Sequence, residues 1–102
     1  MIAVLKINKT IEDKKVCLAL EGRLDTTTAP DLEKEVKSSL DGMTDLVFDM
    51  AKLEYISSAG LRVLLAAQKI MNKQGTMEVI HVDDTIMEIF EVTGFSDILT
   101  IC

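Results

Sequence analysis

Apolar positions recur along this chain of 102 residues at strand spacing first, and then in alternating helix and strand patterns. Ala3 to Ile7, with a polar Lys6, predicts an edge strand, and the polar stretch Asn8 to Lys15 predicts a connection. Val16-Cys17-Leu18-Ala19-Leu20 is apolar on both alternating faces, the pattern of a central strand in a sheet covered on both sides or nearly so. Thr28 followed by Asp31 has capping-box spacing, and Pro30 is tolerated in a first turn, so a helix is expected there. Leu32, Val36 and Leu40 supply its apolar stripe, Glu33 and Lys37 a possible exposed pair, and Gly42 a stop.

The same punctuation continues. Leu46-Val47-Phe48-Asp49-Met50 is a strand, and a short connection leads to Ser57-Ser58-Ala59-Gly60. These residues open a second helix with Leu61, Leu64, Leu65 and Met71 on or near its inner side and Gly75 past its end. Met77 to Val82 is a further strand. Thr85 to Glu88 repeats the capping-box pattern ahead of a helix containing Ile86, Ile89 and Phe90, and Gly94 ends it. Ile98 to Ile101 can add a last strand. Such alternation implies right-handed crossovers and an α/β fold, a mainly parallel sheet of four to five strands with about three helices. No repeat or linker divides the chain, so residues 1–102 read as one domain.

Composition narrows the function classes. With 4% aromatic residues and a net charge of −6, the chain lacks stacking platforms and clustered cations, so no direct nucleic-acid binding is expected. No apolar run approaches the ~20 residues that cross a bilayer, and the start of the chain lacks signal-peptide character. A cytoplasmic protein without membrane contact is the expectation. Closure of one modest core accounts for the apolar stripes, which favours a monomer. Cys17, inside an apolar strand, reads as a buried structural thiol and Cys102 as a frayed terminus; neither has metal-ligand spacing, and no cofactor is implied.

In parallel sheets, sites gather where strands run out and helices begin, and Asp25, Asp49 and Ser57 to Gly60 are expected at that edge. Ser58 at a helix start can be a cap or a phosphate acceptor, since a phosphate there meets free N–H groups and the positive end of the helix dipole. Ala59 and Gly60 beside it are small enough to admit a partner's active site. Asp25 can initiate a turn, and Asp49 can accept hydrogen bonds from the connection that presents Ser58. His81, the only histidine, reads as an ordinary hydrogen-bonded residue, and no nucleophile, base and oxyanion site is assembled, so no enzyme is expected.

Three segments, Glu21-Gly22-Arg23-Leu24-Asp25, Leu46-Val47-Phe48-Asp49-Met50 and Tyr55-Ile56-Ser57-Ser58-Ala59-Gly60-Leu61, together resemble the STAS domain of bacterial anti-sigma factor antagonists. The resemblance covers nearly the whole chain. It implies a phosphorylation-switched module that sequesters an anti-sigma factor serine kinase of the GHKL type and releases a sigma factor, with a PP2C-type phosphatase resetting the switch. Counting from Gly60 and Leu61 places the phosphorylated serine at Ser58. Asp25 is then tied to the phosphorylation and nucleotide-linked surface, with Asp49, Ser57, Ala59 and Gly60 beside it. Ser57 stands where many phosphorylated members have Asp, which makes Ser57 a rival acceptor. The chain also ends before the final helix that many members carry. A STAS scaffold of a stress-sensing or lipid-transport assembly is the alternative within the family, and weak nucleotide hydrolysis the alternative outside it.

Overall fold

β2 (Lys15–Leu24) and β3 (Asp45–Ile56) run parallel through the middle of a four-stranded sheet in a computed structural model that describes residues 5–102. β1 (Leu5–Glu12) lies antiparallel to β2 on one edge and β4 (Thr76–Ile80) parallel to β3 on the other, giving the order β1-β2-β3-β4. The expected α/β sheet with an antiparallel first strand is therefore present. The part of the predicted strand before Leu5 lies outside the described residues.

Register explains the core. Val16, Leu46 and Met77 stand side by side across three strands, as do Leu18, Phe48 and Val79 in the next helix-facing row, and all six are buried. α1 (Ala29–Ser39), α2 (Ser58–Asn72) and α3 (Asp84–Thr93) cover that face with Leu32, Val36, Leu64, Met71, Ile86 and Phe90. Each parallel strand is added on the same side of the one before it. Right-handed crossovers then place every helix on one face. The expectation of a sheet covered on both sides or nearly so is corrected: on the opposite face Val47 is buried, but Cys17 and Asp49 are half-buried and Glu78 is exposed, with no helix over them among the described residues. Cys17 is thus not a fully buried thiol, although partial burial, with the Asp49 charge adding and Lys15 opposing, pushes its pKa up.

Strands outrun their apolar segments. Asn8 to Glu12, expected as connection, continue β1, because an edge strand tolerates polar side chains, and the chain reverses at Asp13, which adopts φ 55. Lys9 reaches over α1, 3.3 Å from Glu35 Oε1 and 3.3 Å from Ser39 Oγ, so Lys9 rather than Lys37 pairs with that helix and the expected Glu33–Lys37 pair is not made. β3 likewise runs past Met50 to Ile56, following β2 through two register shifts. The fifth strand shrinks to one bridge, Val79 with Ile101, because the chain before it is held in a 3-10 turn at Phe95–Asp97, where Ile98 N–H bonds Phe95 O at 3.0 Å and Leu99 N–H bonds the same oxygen at 2.8 Å.

Two caps differ from the capping-box expectation. Thr28 makes no side-chain cap to α1; its hydroxyl donates to Arg23 O at 2.8 Å and accepts from Asp25 N–H at 2.9 Å. Asp83, not Thr85, caps α3 by accepting from Ile86 N–H at 2.9 Å, while Gly94 ends it in the left-handed region at φ 83, as expected.

Candidate functional site

The end of β3 and the start of α2 place two neighbouring serines in different environments. Ser57 N–H donates to Leu24 O at 2.9 Å, which fixes the strand end, and its extended backbone makes it the N-cap of α2. Its hydroxyl accepts from Gly60 N–H at 3.4 Å, a long cap bond, and the residue is half-buried. Ser58 is the first helical residue and is exposed, and its hydroxyl makes no hydrogen bond among the described residues. No acidic side chain stands in the first turn of α2.

Gly60 is not part of an open surface. It is buried, and a Cβ built there would fall 2.6 Å from Leu24 Cγ and 3.0 Å from Ile56 Cγ1. The residue lets α2 lie close on the sheet. The expectation that Gly60 makes room for a partner is corrected on that ground, whereas half-buried Ala59 does reach the surface. Ala59 lines a groove of about 170 Å³ between the starts of α1 and α2, with Ala29, Pro30, Val63, Glu33 and Arg62 among its other residues. Sequence reasoning assigned neither Glu33 nor Arg62 to the site; the i, i+4 spacing of Ser58 and Arg62 was the available signal.

Asp25 organises the loop before α1. Its Oδ1 accepts from Thr27 N–H at 3.0 Å, Thr27 Oγ1 at 2.7 Å and Thr28 N–H at 3.2 Å. The Thr27 hydroxyl above all, with the Thr27 and Thr28 N–H groups and the Thr28 hydroxyl, outweighs the opposing effect of desolvation and holds the Asp25 carboxyl below the usual carboxylate range. Asp25 Oδ2 lies 3.8 Å from Arg23 Nε, and the Arg23 guanidinium stacks 4.3 Å from the centroid of the Tyr55 ring. Arg23, Asp25 and Tyr55 thus form one patch at the strand ends beside α2.

Asp49 stands elsewhere. β3 continues seven residues beyond it, so Asp49 lies mid-strand on the helix-free face and makes no contact with the connection that presents Ser58. It accepts from Ala51 N–H at 3.0 Å and pairs with His81 Nδ1 at 2.9 Å. The expected role of shaping the Ser58 loop is corrected: the apolar segment ended at Met50, but the strand did not.

The STAS domain profile matches residues 4–102. The chain belongs to the STAS domain family. A Bordetella bronchiseptica protein, BtrV, named for anti-sigma factor antagonism, is 33% identical over 99 residues, covering 95% of this chain and 85% of the relative. The anti-sigma-B factor antagonist of Staphylococcus aureus is 32% identical over 98 residues, covering 93% and 90%. An anti-sigma factor antagonist from Mycobacterium paratuberculosis shares the fold at a TM-score of 0.86 with 22% identity, over 95% of this chain and 84% of its own. Unphosphorylated SpoIIAA shares it at 0.75 with 14% identity, over 97% and 87%. Within this STAS domain, the strand-end segments anticipated from sequence do bring Asp25, Ser57, Ser58 and Ala59 to one edge, and Asp49 and Gly60 fall outside the exposed part of it.

Proposed function

We propose that this STAS domain is an anti-sigma factor antagonist that works by binding, and that phosphorylation of Ser58 switches the binding off. The observation that carries the reading is the division of labour between the two serines: Ser57 Oγ is engaged in the cap with Gly60 N–H at 3.4 Å, while Ser58 is exposed and uncommitted. A kinase needs the second kind of hydroxyl. The relatives named for anti-sigma factor antagonism, from Bordetella bronchiseptica and Staphylococcus aureus, support the partner class. On this reading the unphosphorylated form captures an anti-sigma factor that is also a GHKL-type serine kinase, and a PP2C-type phosphatase restores the capturing form. Residence in the cytoplasm follows from that partner.

Turnover by the isolated chain is not part of this function. Among the described residues no general base is hydrogen-bonded to Ser58, and the only histidine in the sequence is turned to Asp49 on the helix-free face. Treatment with the cognate anti-sigma factor kinase and ATP, followed by mass spectrometry of peptides spanning residues 53–62, tests the reading. A phosphate on Ser58 that weakens capture supports it; a phosphate on Ser57 alone, or none, overturns it.

A further inference from the structure

Resting on that reading of Ser58, we infer that Arg62 is the intramolecular counter-charge of phospho-Ser58, and that phosphorylation draws Arg62 out of the groove it shares with Glu33. Ser58 and Arg62 lie four residues apart on α2, and both are exposed. Residues at this spacing are neighbours on a helix surface, and a helical side chain leans back over the turn preceding it, so Arg62 covers the turn that begins at Ser58. An acid placed N-terminal to a base at i, i+4 is also the favoured order of the pair.

The surroundings leave Arg62 available. The ion pairs among the described residues are Lys9–Glu35, Arg23–Asp25 and His81–Asp49, and Arg62 takes part in none. Arg23 is already committed to Asp25 at 3.8 Å and to the Tyr55 ring at 4.3 Å. Glu33 lines the same groove as Arg62 without forming an ion pair with it. The first turn of α2 holds no acidic side chain that would compete for Arg62 or repel a phosphate. A phosphate on Ser58 brings about −1.5 to −2 charges and acceptor oxygens that suit a guanidinium fork. It therefore attracts Arg62 more strongly than the single Glu33 carboxylate across the groove. Phosphorylation then changes the surface twice: it adds a dianion at Ser58, and it takes the Arg62 charge out of the groove that Glu33 also lines.

The test installs phosphoserine genetically at position 58 of the full chain, so that it depends on no kinase, and titrates the phosphate by 31P NMR. In the parent the second phosphate pKa is expected about half a unit below that of the Arg62→Gln variant, the size of a favourable exposed pair to a doubly charged partner. Arg62→Lys should recover part of the shift, and raising the salt should shrink it. Equal phosphate pKa values in parent and Arg62→Gln would overturn the inference, because the helix N-terminus contributes equally to both. Failure of the reading of Ser58 itself is seen separately, as a kinase-dependent phosphate found on Ser57. Arg62 is exposed, so circular dichroism of the glutamine variant should match the parent and tie any change in pKa to the lost charge.

Discussion

His81 Nδ1 lies 2.9 Å from Asp49 Oδ1 across the ends of β4 and the middle of β3, and His81 holds that position with a left-handed backbone at φ 58. Partial burial pushes the Asp49 carboxyl up, but the Ala51 N–H, the His81 ring and the Lys52 charge outweigh it and hold the group below its ordinary value. A carboxyl with a depressed folded pKa stabilises the fold above its unfolded value of about 3.9 and loses that contribution as pH falls through the folded value. Asp49→Asn should therefore lower stability near neutral pH by about 0.5 kcal/mol, the scale of an exposed pair. The difference should close in strong acid. Urea midpoints at both conditions check this, and an undiminished gap in acid would contradict the assignment. Because Asp49 lies mid-strand on the helix-free face, kinase treatment of Asp49→Asn should still modify Ser58.

Gly60 and Gly75 are places where packing forbids a side chain. Alanine at Gly60 puts a Cβ 2.6 Å from the Leu24 Cγ, inside a fully buried residue that has little room to yield, and overpacking of this kind costs roughly 1–3 kcal/mol. At Gly75 the collision is with the Thr44 carbonyl, part of the backbone that Thr76 N–H bonds at 2.9 Å. Gly75→Ala should therefore be the more damaging of the two in thermal unfolding. The reverse order would mean that the segment joining α2 to β4 shifts more easily than the helix start.

The two serines should separate cleanly by measurement. Ser57→Ala removes a cap whose bond is long, so a loss near 0.5 kcal/mol, at the low end for caps, is expected together with continued modification of Ser58. Ser58→Ala should leave stability unchanged, bind the partner and resist phosphorylation. Ser58→Asp should bind weakly: at an effective dielectric near 20, two unit charges about 4 Å apart interact by roughly 4 kcal/mol, and a third of that is about tenfold in affinity. Parent-like binding by Ser58→Asp would sink a switch based on charge.

Asp25→Ala should act on the loop before α1. The N–H groups of Thr27 and Thr28 donate to Asp25 Oδ1 at 3.0 and 3.2 Å, so both amides should exchange with solvent faster in the variant. The N–H of Val16, in the centre of the sheet, should be unchanged. Measured as protection relative to the intrinsic exchange rate at each pH, the same loss should appear in the parent on strong acidification, because the depressed carboxyl stabilises the loop only while ionised. Unchanged protection at Thr27 would show that the hydroxyl and backbone contacts of Thr28 hold the loop without the carboxylate.

Much of the fold was legible because apolar periodicity reports which residues must leave water. The helix-facing residues of the strands, Val16, Leu18 and Leu20, Leu46, Phe48 and Met50, and Met77 and Val79, and the helix stripes between them, are buried in the predicted order. Element ends were less legible. Thr28 and Thr85 have the spacing of caps, but hydroxyls close to several backbone groups take whichever geometry favours: the Thr28 hydroxyl turned to Arg23 O and Asp25 N–H, and at α3 Asp83 took the Ile86 amide.

The sequence by itself determined the α/β alternation, the family segments and the location of the two serines at a helix start, because each depends on local spacing. Only the tertiary structure decided which serine is the cap, that Gly60 faces Leu24 rather than a partner, and that Asp49 looks away from the site toward His81. Those outcomes depend on how far β2 and β3 stay paired after their apolar residues end. Backbone hydrogen bonding carried the ladder on to Leu24 and Ile56 through two register shifts, and side-chain hydrophobicity does not encode such a continuation.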